Sequence, residues 1–163
     1  MPRLAEATKD GTPYFNIMDH RPDIAKKWAE MDEFLRFSGL LDPDLKEEVR
    51  RAVAQESGCL FCASLGTPKA HYDDPRVTAA VEFGRAVAKS PANVSEAVFN
   101  AARAHFNPAE LVELSMWVSF MYGAEMFGAI VKLDPASDGI KTMYANWLQQ
   151  GKQKSQSADR KIA

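Results

Sequence analysis

In Asp42-Pro43, Asp74-Pro75, Ser90-Pro91 and Asn107-Pro108 a residue that favours helix N-caps stands directly before a proline. A proline at the first helical position gives up only an N–H that has no partner inside the helix. The residue before it is steered into the extended backbone that a cap requires. Each pair therefore both ends a connection and starts a helix, which leaves little room for strands. Asn107 with Glu110, and Asn93 with Glu96, add the spacing of capping boxes. Composition agrees, with 24 alanines against 20 Val, Ile and Thr combined. The punctuation predicts helices over residues 22–37, 43–56, 59–66, 75–88, 93–105, 108–133 and 136–149. Irregular chain is expected before residue 20 and from 66 to 74. The fold class expected is all-α, with about six to seven helices.

A length of 163 residues with 46% hydrophobic residues is enough for one domain with its own core. We place that domain at residues 1–150. The remainder, 151–163, has four Lys or Arg, one Asp and no aromatic residue, and is expected to be a flexible polar tail. Without it the body carries a net charge of -5, which offers nucleic acid no electrostatic footing. The opening MPRLAEATKDGTPYF has no apolar run of the kind a signal peptide carries, so a cytoplasmic location is expected. The 18 residues from Leu114 to Val131 contain one charge, Glu125. Their length is borderline for a membrane span, and they follow a cap of soluble type without basic flanks. No membrane association is expected. A helix apolar nearly all round is instead expected to lie in a core or against another subunit. Glu125, alone in it, must find a partner: an arginine, or a site at a subunit interface. Trp28, Trp117, Phe120, Met121, Tyr122 and Met126 fall at spacings that core packing explains.

The two cysteines are Cys59 and Cys62, in Ser57-Gly58-Cys59-Leu60-Phe61-Cys62. Two intervening residues in a helical turn let the sulfurs pair, and the N–H groups at a helix start favour a thiolate on the first. Such a pair can attack a peroxide or a disulfide and then close on itself. Buried inert thiols or half of a metal site are the other readings. For a metal, only His20, His71 and His105 are on offer, and they do not form a paired ligand spacing. Glu47, twelve residues before Cys59, is a candidate general base. Taken alone, its spacing to Arg51 one turn on favours an ordinary solvated helix carboxylate. Leu45, Val49, Ala52 and Val53 form the apolar face of that helix. Glu48 sits on its border and Glu47 points away from it.

The run Leu45-Lys46-Glu47-Glu48-Val49-Arg50-Arg51-Ala52-Val53-Ala54, followed by Gly58-Cys59-Leu60-Phe61-Cys62, resembles the carboxymuconolactone decarboxylase / alkylhydroperoxidase D-like superfamily. The peroxidase branch carries a glutamate, eleven intervening residues and then CxxC. His20-Arg21-Pro22 before the Trp28 helix, and the segment from Asn93 to Glu113, extend the likeness over roughly residues 15–135. The resemblance implies an all-helical subunit of a homo-oligomer, trimeric or hexameric. It implies hydroperoxide reduction by Cys59 and Cys62 with Glu47 in a proton relay, and no bound cofactor or metal. The pair would be reduced again by a dithiol, such as a lipoyl-type protein. Helix-end electrostatics favour Cys59 as the reactive thiol, whereas the resemblance gives the attack to the second cysteine, Cys62.

Two departures bear on activity. The histidine that the family carries four residues after the second cysteine falls at Gly66. A histidine that some members carry between the cysteines falls at Phe61. His71 lies five residues beyond Gly66 and is expected to be a solvated loop residue. A non-catalytic helical oligomer or redox sensor is the alternative that Gly66 raises, and a lactone decarboxylase-like enzyme is a remoter one.

Overall fold

The computed structural model describes residues 1–159. Among them are eight α-helices and no strand: α1 (Pro13–Met18), α2 (Pro22–Phe37), α3 (Pro43–Glu56), α4 (Leu60–Ser64), α5 (Pro75–Lys89), α6 (Glu96–His105), α7 (Pro108–Ile130) and α8 (Asp138–Asp159). Proline occupies the first turn of α1, α2, α3, α5 and α7. The Asp42 carboxylate accepts the Asp44 N–H at 2.6 Å and the Asp74 carboxylate that of Arg76 at 2.8 Å. At α7 the capping box is complete, with Asn107 accepting from Glu110 N and Glu110 accepting from Asn107 N. The Asn93 box does not form. Ser90-Pro91 opens only a 3-10 turn over Pro91–Asn93, and Ser95 caps α6 by accepting the Val98 N–H at 3.3 Å.

Two further differences concern the ends. Helix α1 lies where irregular chain was expected, capped by the Thr12 hydroxyl ahead of Pro13. Helix α8 continues through Gly151 to Asp159, so the expected tail is helical as far as it is described. Gly151 is what admits that continuation: a Cβ there would strike the Phe37 ring. Residues 160–163 of the expected tail lie outside the described residues.

The main core joins α3, α5 and α7, with Val49, Val53, Leu114, Trp117 and Val118 at 0% exposure. Gly84 of α5 lets that helix close on α3, because a Cβ there would sit 2.9 Å from Val49 Cγ1. The Trp117 indole donates to the Lys46 carbonyl at 2.8 Å, pinning α7 across α3. Lys46 is itself buried; its ammonium donates to the carbonyls of Leu35 and Ser38 and pairs with Glu113 at 2.6 Å. Glu113 in turn accepts the N–H groups of Leu40 and Leu41, so the α2–α3 turn is tied to α7.

A second core gathers Tyr14, Ile17, Cys59, Phe61, Cys62, Val131 and Leu133 where α1, α4 and the end of α7 meet. Helix α7 is not enclosed on all sides within one chain. It buries Leu111, Leu114, Trp117, Val118 and Met121, but Val112, Met116, Met126 and Ile130 are exposed. Among the described residues no helix is long and apolar enough to cross a membrane.

Candidate functional site

Ser57 caps the end of α3, and Gly58 turns the chain at φ +78°, a conformation that side chains disfavour. Cys59 then becomes the N-cap of α4, its sulfur accepting the Cys62 N–H at 3.2 Å. The cysteines are joined as a disulfide with their Cα atoms 5.3 Å apart. Both are buried, but they are not equivalent. Cys62 lies on the wall of a cavity of about 480 Å³. Cys59 lies behind it, against α7 at Gly128, where an added Cβ would collide with the Cys59 sulfur and come within 3.4 Å of that of Cys62.

Apolar groups make up most of the cavity wall, among them Tyr14, Phe15, Trp28, Phe61 and Phe120. Its charged side chains come from α2 (Asp32, Glu33, Arg36), α3 (Arg50) and α7 (Glu125), and Tyr144 of α8 also reaches it.

Glu47 is 2% exposed and sits behind this wall, inside a cage of donors. Its carboxylate accepts from Arg50 Nη2 at 2.9 Å, Arg36 Nη1 at 3.1 Å, Arg51 Nε at 3.1 Å and the Tyr144 hydroxyl at 2.8 Å. Burial pushes its carboxyl upward, but Arg50 and then Arg36 and Tyr144 overcome that and hold it at about 2. Arg51 is thus its partner, as the i,i+4 spacing suggested, yet Glu47 is not a solvated helix carboxylate. The sequence did not single out Arg36, Arg50 or Tyr144. Glu47–Arg50 spacing was a visible signal for Arg50, whereas Arg36 and Tyr144 arrive from helices remote in sequence.

Arg50 connects this cage to the cysteines. Its Nε and Nη2 bind Glu47, while Nη1 donates to the Cys62 carbonyl at 3.1 Å. Arg36 is held by Asp32 at 2.8 Å and lies over the rings of both Trp117 and Trp147, 4.9 and 5.0 Å from their centres. The two buried guanidinium groups thus share one buried carboxylate.

Glu125 contrasts with Glu47. It is 2% exposed, and neither of its oxygens has a hydrogen-bond partner. The Ser57 hydroxyl, which acts to lower its carboxyl, donates to the Ala54 carbonyl at 3.3 Å. Burial pushes the Glu125 carboxyl up to about 8, more than Arg50 and Arg36 pull it down. The lone charge of the Leu114–Val131 stretch therefore faces two arginines without forming a contact ion pair with either.

A carboxyl raised in the folded state makes folding weaker as pH rises. The folded chain keeps a proton that the unfolded chain releases above 4.5, so stability falls from that pH to about 8 and then levels off. At pH 7 the penalty is about 3 kcal/mol. Glu125→Gln is expected to remove it. Urea midpoints of wild type should drop between pH 5 and pH 8, while those of the variant stay level. A parallel drop in both would show that Glu125 ionises normally.

His71 is exposed and pairs with Asp73 at 3.6 Å, away from the sulfurs. Gly66 adopts φ +148°, and a Cβ there would stand 3.0 Å from Arg51 Nε. Arg51 occupies the room in which a histidine side chain would begin. Glu48 holds the following loop, accepting from Arg51 at 2.9 Å, the Lys69 N–H at 3.0 Å and the Tyr72 hydroxyl at 2.6 Å. Among the described residues no three His, Cys, Asp or Glu side chains converge to hold a metal. Compared with models of known protein families and with curated proteins, the chain matches none.

Proposed function

We propose that this chain is a thiol oxidoreductase that reduces hydroperoxides through Cys59 and Cys62, with Cys62 as the attacking sulfur. The observation that carries this is the placement of the CxxC pair: one sulfur on a mostly apolar cavity wall, the other directly behind it. A peroxide entering the cavity meets Cys62 first. The Cys62 thiolate attacks the terminal oxygen, forming an S–O bond as the O–O bond breaks, and the alkoxide leaves as an alcohol after taking a proton. Cys59 then attacks the Cys62 sulfenic acid, the S–S bond forms and water departs. Two thiols supply the two electrons, and an external dithiol of lipoyl type restores them by exchange.

Glu47 enters this scheme as an anchor. A carboxyl near 2 is a weak base for a thiol whose ordinary value is about 8.5. What Glu47 does is fix Arg50 and Tyr144 at the cavity wall, and Arg50 fixes the Cys62 backbone. The cavity needs no metal or organic cofactor for this chemistry. Self-assembly is part of the proposal: the exposed Val112, Met116, Met126 and Ile130 give α7 an apolar outer face of the kind that pairs with a second copy. A cytoplasmic location is part of it too, since an exchangeable disulfide there meets reducing partners.

To test the activity, the reduced protein is mixed with cumene hydroperoxide. One equivalent of cumyl alcohol per chain is expected, followed by recovery of both thiols with dihydrolipoamide. No alcohol above the buffer rate would leave the sensor or assembly reading, which the glycine at position 66 favours.

A further inference from the structure

We propose that Glu125 is the proton acceptor for the Cys62 thiol, taking its proton as the sulfur becomes nucleophilic and passing it to the departing alkoxide. This rests on the hydroperoxide reading for its second half and on the site geometry alone for its first.

Three observations lead to it. Glu125 and Cys62 line the same cavity, although they come from helices far apart in the chain. Glu125 precedes Gly128 by three residues, about one turn of α7, and Gly128 is where that helix meets both sulfurs. And both carboxylate oxygens are buried without a hydrogen-bond partner, an arrangement that costs stability and calls for a reason other than packing. Glu47, by comparison, has every lone pair occupied by arginines and Tyr144. A carboxyl held near 8 is matched to a thiol in a way that one near 2 is not.

The proton balance closes within the site. Ionised Glu125 takes the thiol proton, the thiolate forms the S–O bond, and the carboxyl then protonates the alkoxide released from the O–O bond. Glu125 ends as it began. Other groups facing the cavity are Tyr14 of α1; Asp32, Glu33 and Arg36 of α2; Arg50 of α3; and Tyr144 of α8. Glu47 acts on Glu125 from behind the wall. Asp32 is held by Arg36, and burial moves both tyrosines upward, away from neutral pH.

The test uses reduced full-length protein as wild type, Glu125→Gln and Glu125→Asp. Thiol loss with cumene hydroperoxide, and alkylation of Cys62 by iodoacetamide read by peptide mass, are followed from pH 5.5 to 9.5. Wild type should give a two-step pH profile, because a coupled acid pair titrates in two stages. Glu125→Gln should collapse it to a single thiol step and slow the hydroperoxide reaction at pH 8 by at least about tenfold. Glu125→Asp keeps a carboxyl and should retain the two steps, which separates proton transfer from packing. A Glu125→Gln rate less than tenfold below wild type, or a profile unchanged by the substitution, overturns the proposal. Wild-type thiols that ignore hydroperoxide yet keep the two-step alkylation profile would overturn the peroxidase reading and leave the proton assignment standing. Ordinary hydroperoxide reduction by Glu125→Gln would do the reverse.

Discussion

Glu47→Gln is expected to lower stability at pH 7 by about 3–5 kcal/mol, the cost of breaking a buried ion pair by removing one partner. The carboxylate it replaces is the shared counter-ion of Arg36 and Arg50, whose side chains are each 4% exposed. An amide has the same shape but neither the charge nor the acceptor capacity, so two guanidinium groups would be left buried with one carboxylate fewer. The sign of the pH dependence follows from a carboxyl lowered from 4.5 to about 2. Its stabilisation is fully present above 4.5 and disappears as pH falls through about 2. That shift alone corresponds to about 3 kcal/mol, in the same range as the mutational expectation. Urea denaturation at pH 7 and pH 3 measures both: the Glu125 contribution is common to wild type and variant, so the difference between them isolates Glu47 and should shrink on acidification. A loss below about 1 kcal/mol at pH 7 would mean that the cage contributes no more than a surface pair does.

The second large effect separates the two cysteines. Cys62→Ser is expected to reduce the hydroperoxide reaction on the order of 10³-fold or more, because it removes the nucleophile itself. Cys59→Ser should behave differently. It keeps the sulfur on the cavity wall and loses the one behind it, so a single attack should proceed and stop at a sulfenic acid on Cys62. A sulfenic-acid trap such as dimedone, read by peptide mass, should label Cys62 in that variant. Labelling of Cys59 in Cys62→Ser, with Cys59→Ser inert, would reverse the assignment and agree with the helix-end argument for Cys59.

The helices were legible because capping residues and prolines are local signals. Thr12-Pro13 carried the same signal as Asp42-Pro43, but the six-residue α1 behind it shows too little apolar periodicity to stand out. At α8 the composition of residues 151–159 suggested a solvated tail, whereas Phe37 packs onto Gly151 and Lys152 pairs with Asp44. Those contacts come from α2 and α3, and no local pattern announces them.

The site divides in the same way. Cys59 and Cys62 were legible from spacing, and the link from Glu47 to Arg51 from helical periodicity. The depth of Glu47 was not. Periodicity places it off the apolar face of α3, yet Arg36 and Tyr144 cover it from two other helices. Charged side chains that bury one another defeat a hydrophobicity pattern, since each looks solvent-bound until its partner is known. Glu125 was conspicuous as the only charge between Leu114 and Val131, but its nearness to the cysteines depends on how α7 crosses α4. Gly66 was readable as a missing histidine, and only the packing shows Arg51 beside it.

The proposed redox pair of Cys59 and Cys62, opening onto the cavity through Cys62, has a simple readout. Its most direct test is peptide mass analysis of reduced wild-type protein before and after one equivalent of cumene hydroperoxide. Rapid loss of both free thiols and appearance of one intrachain Cys59–Cys62 linked peptide are expected. Two free thiols persisting through that exposure in the folded protein would contradict it.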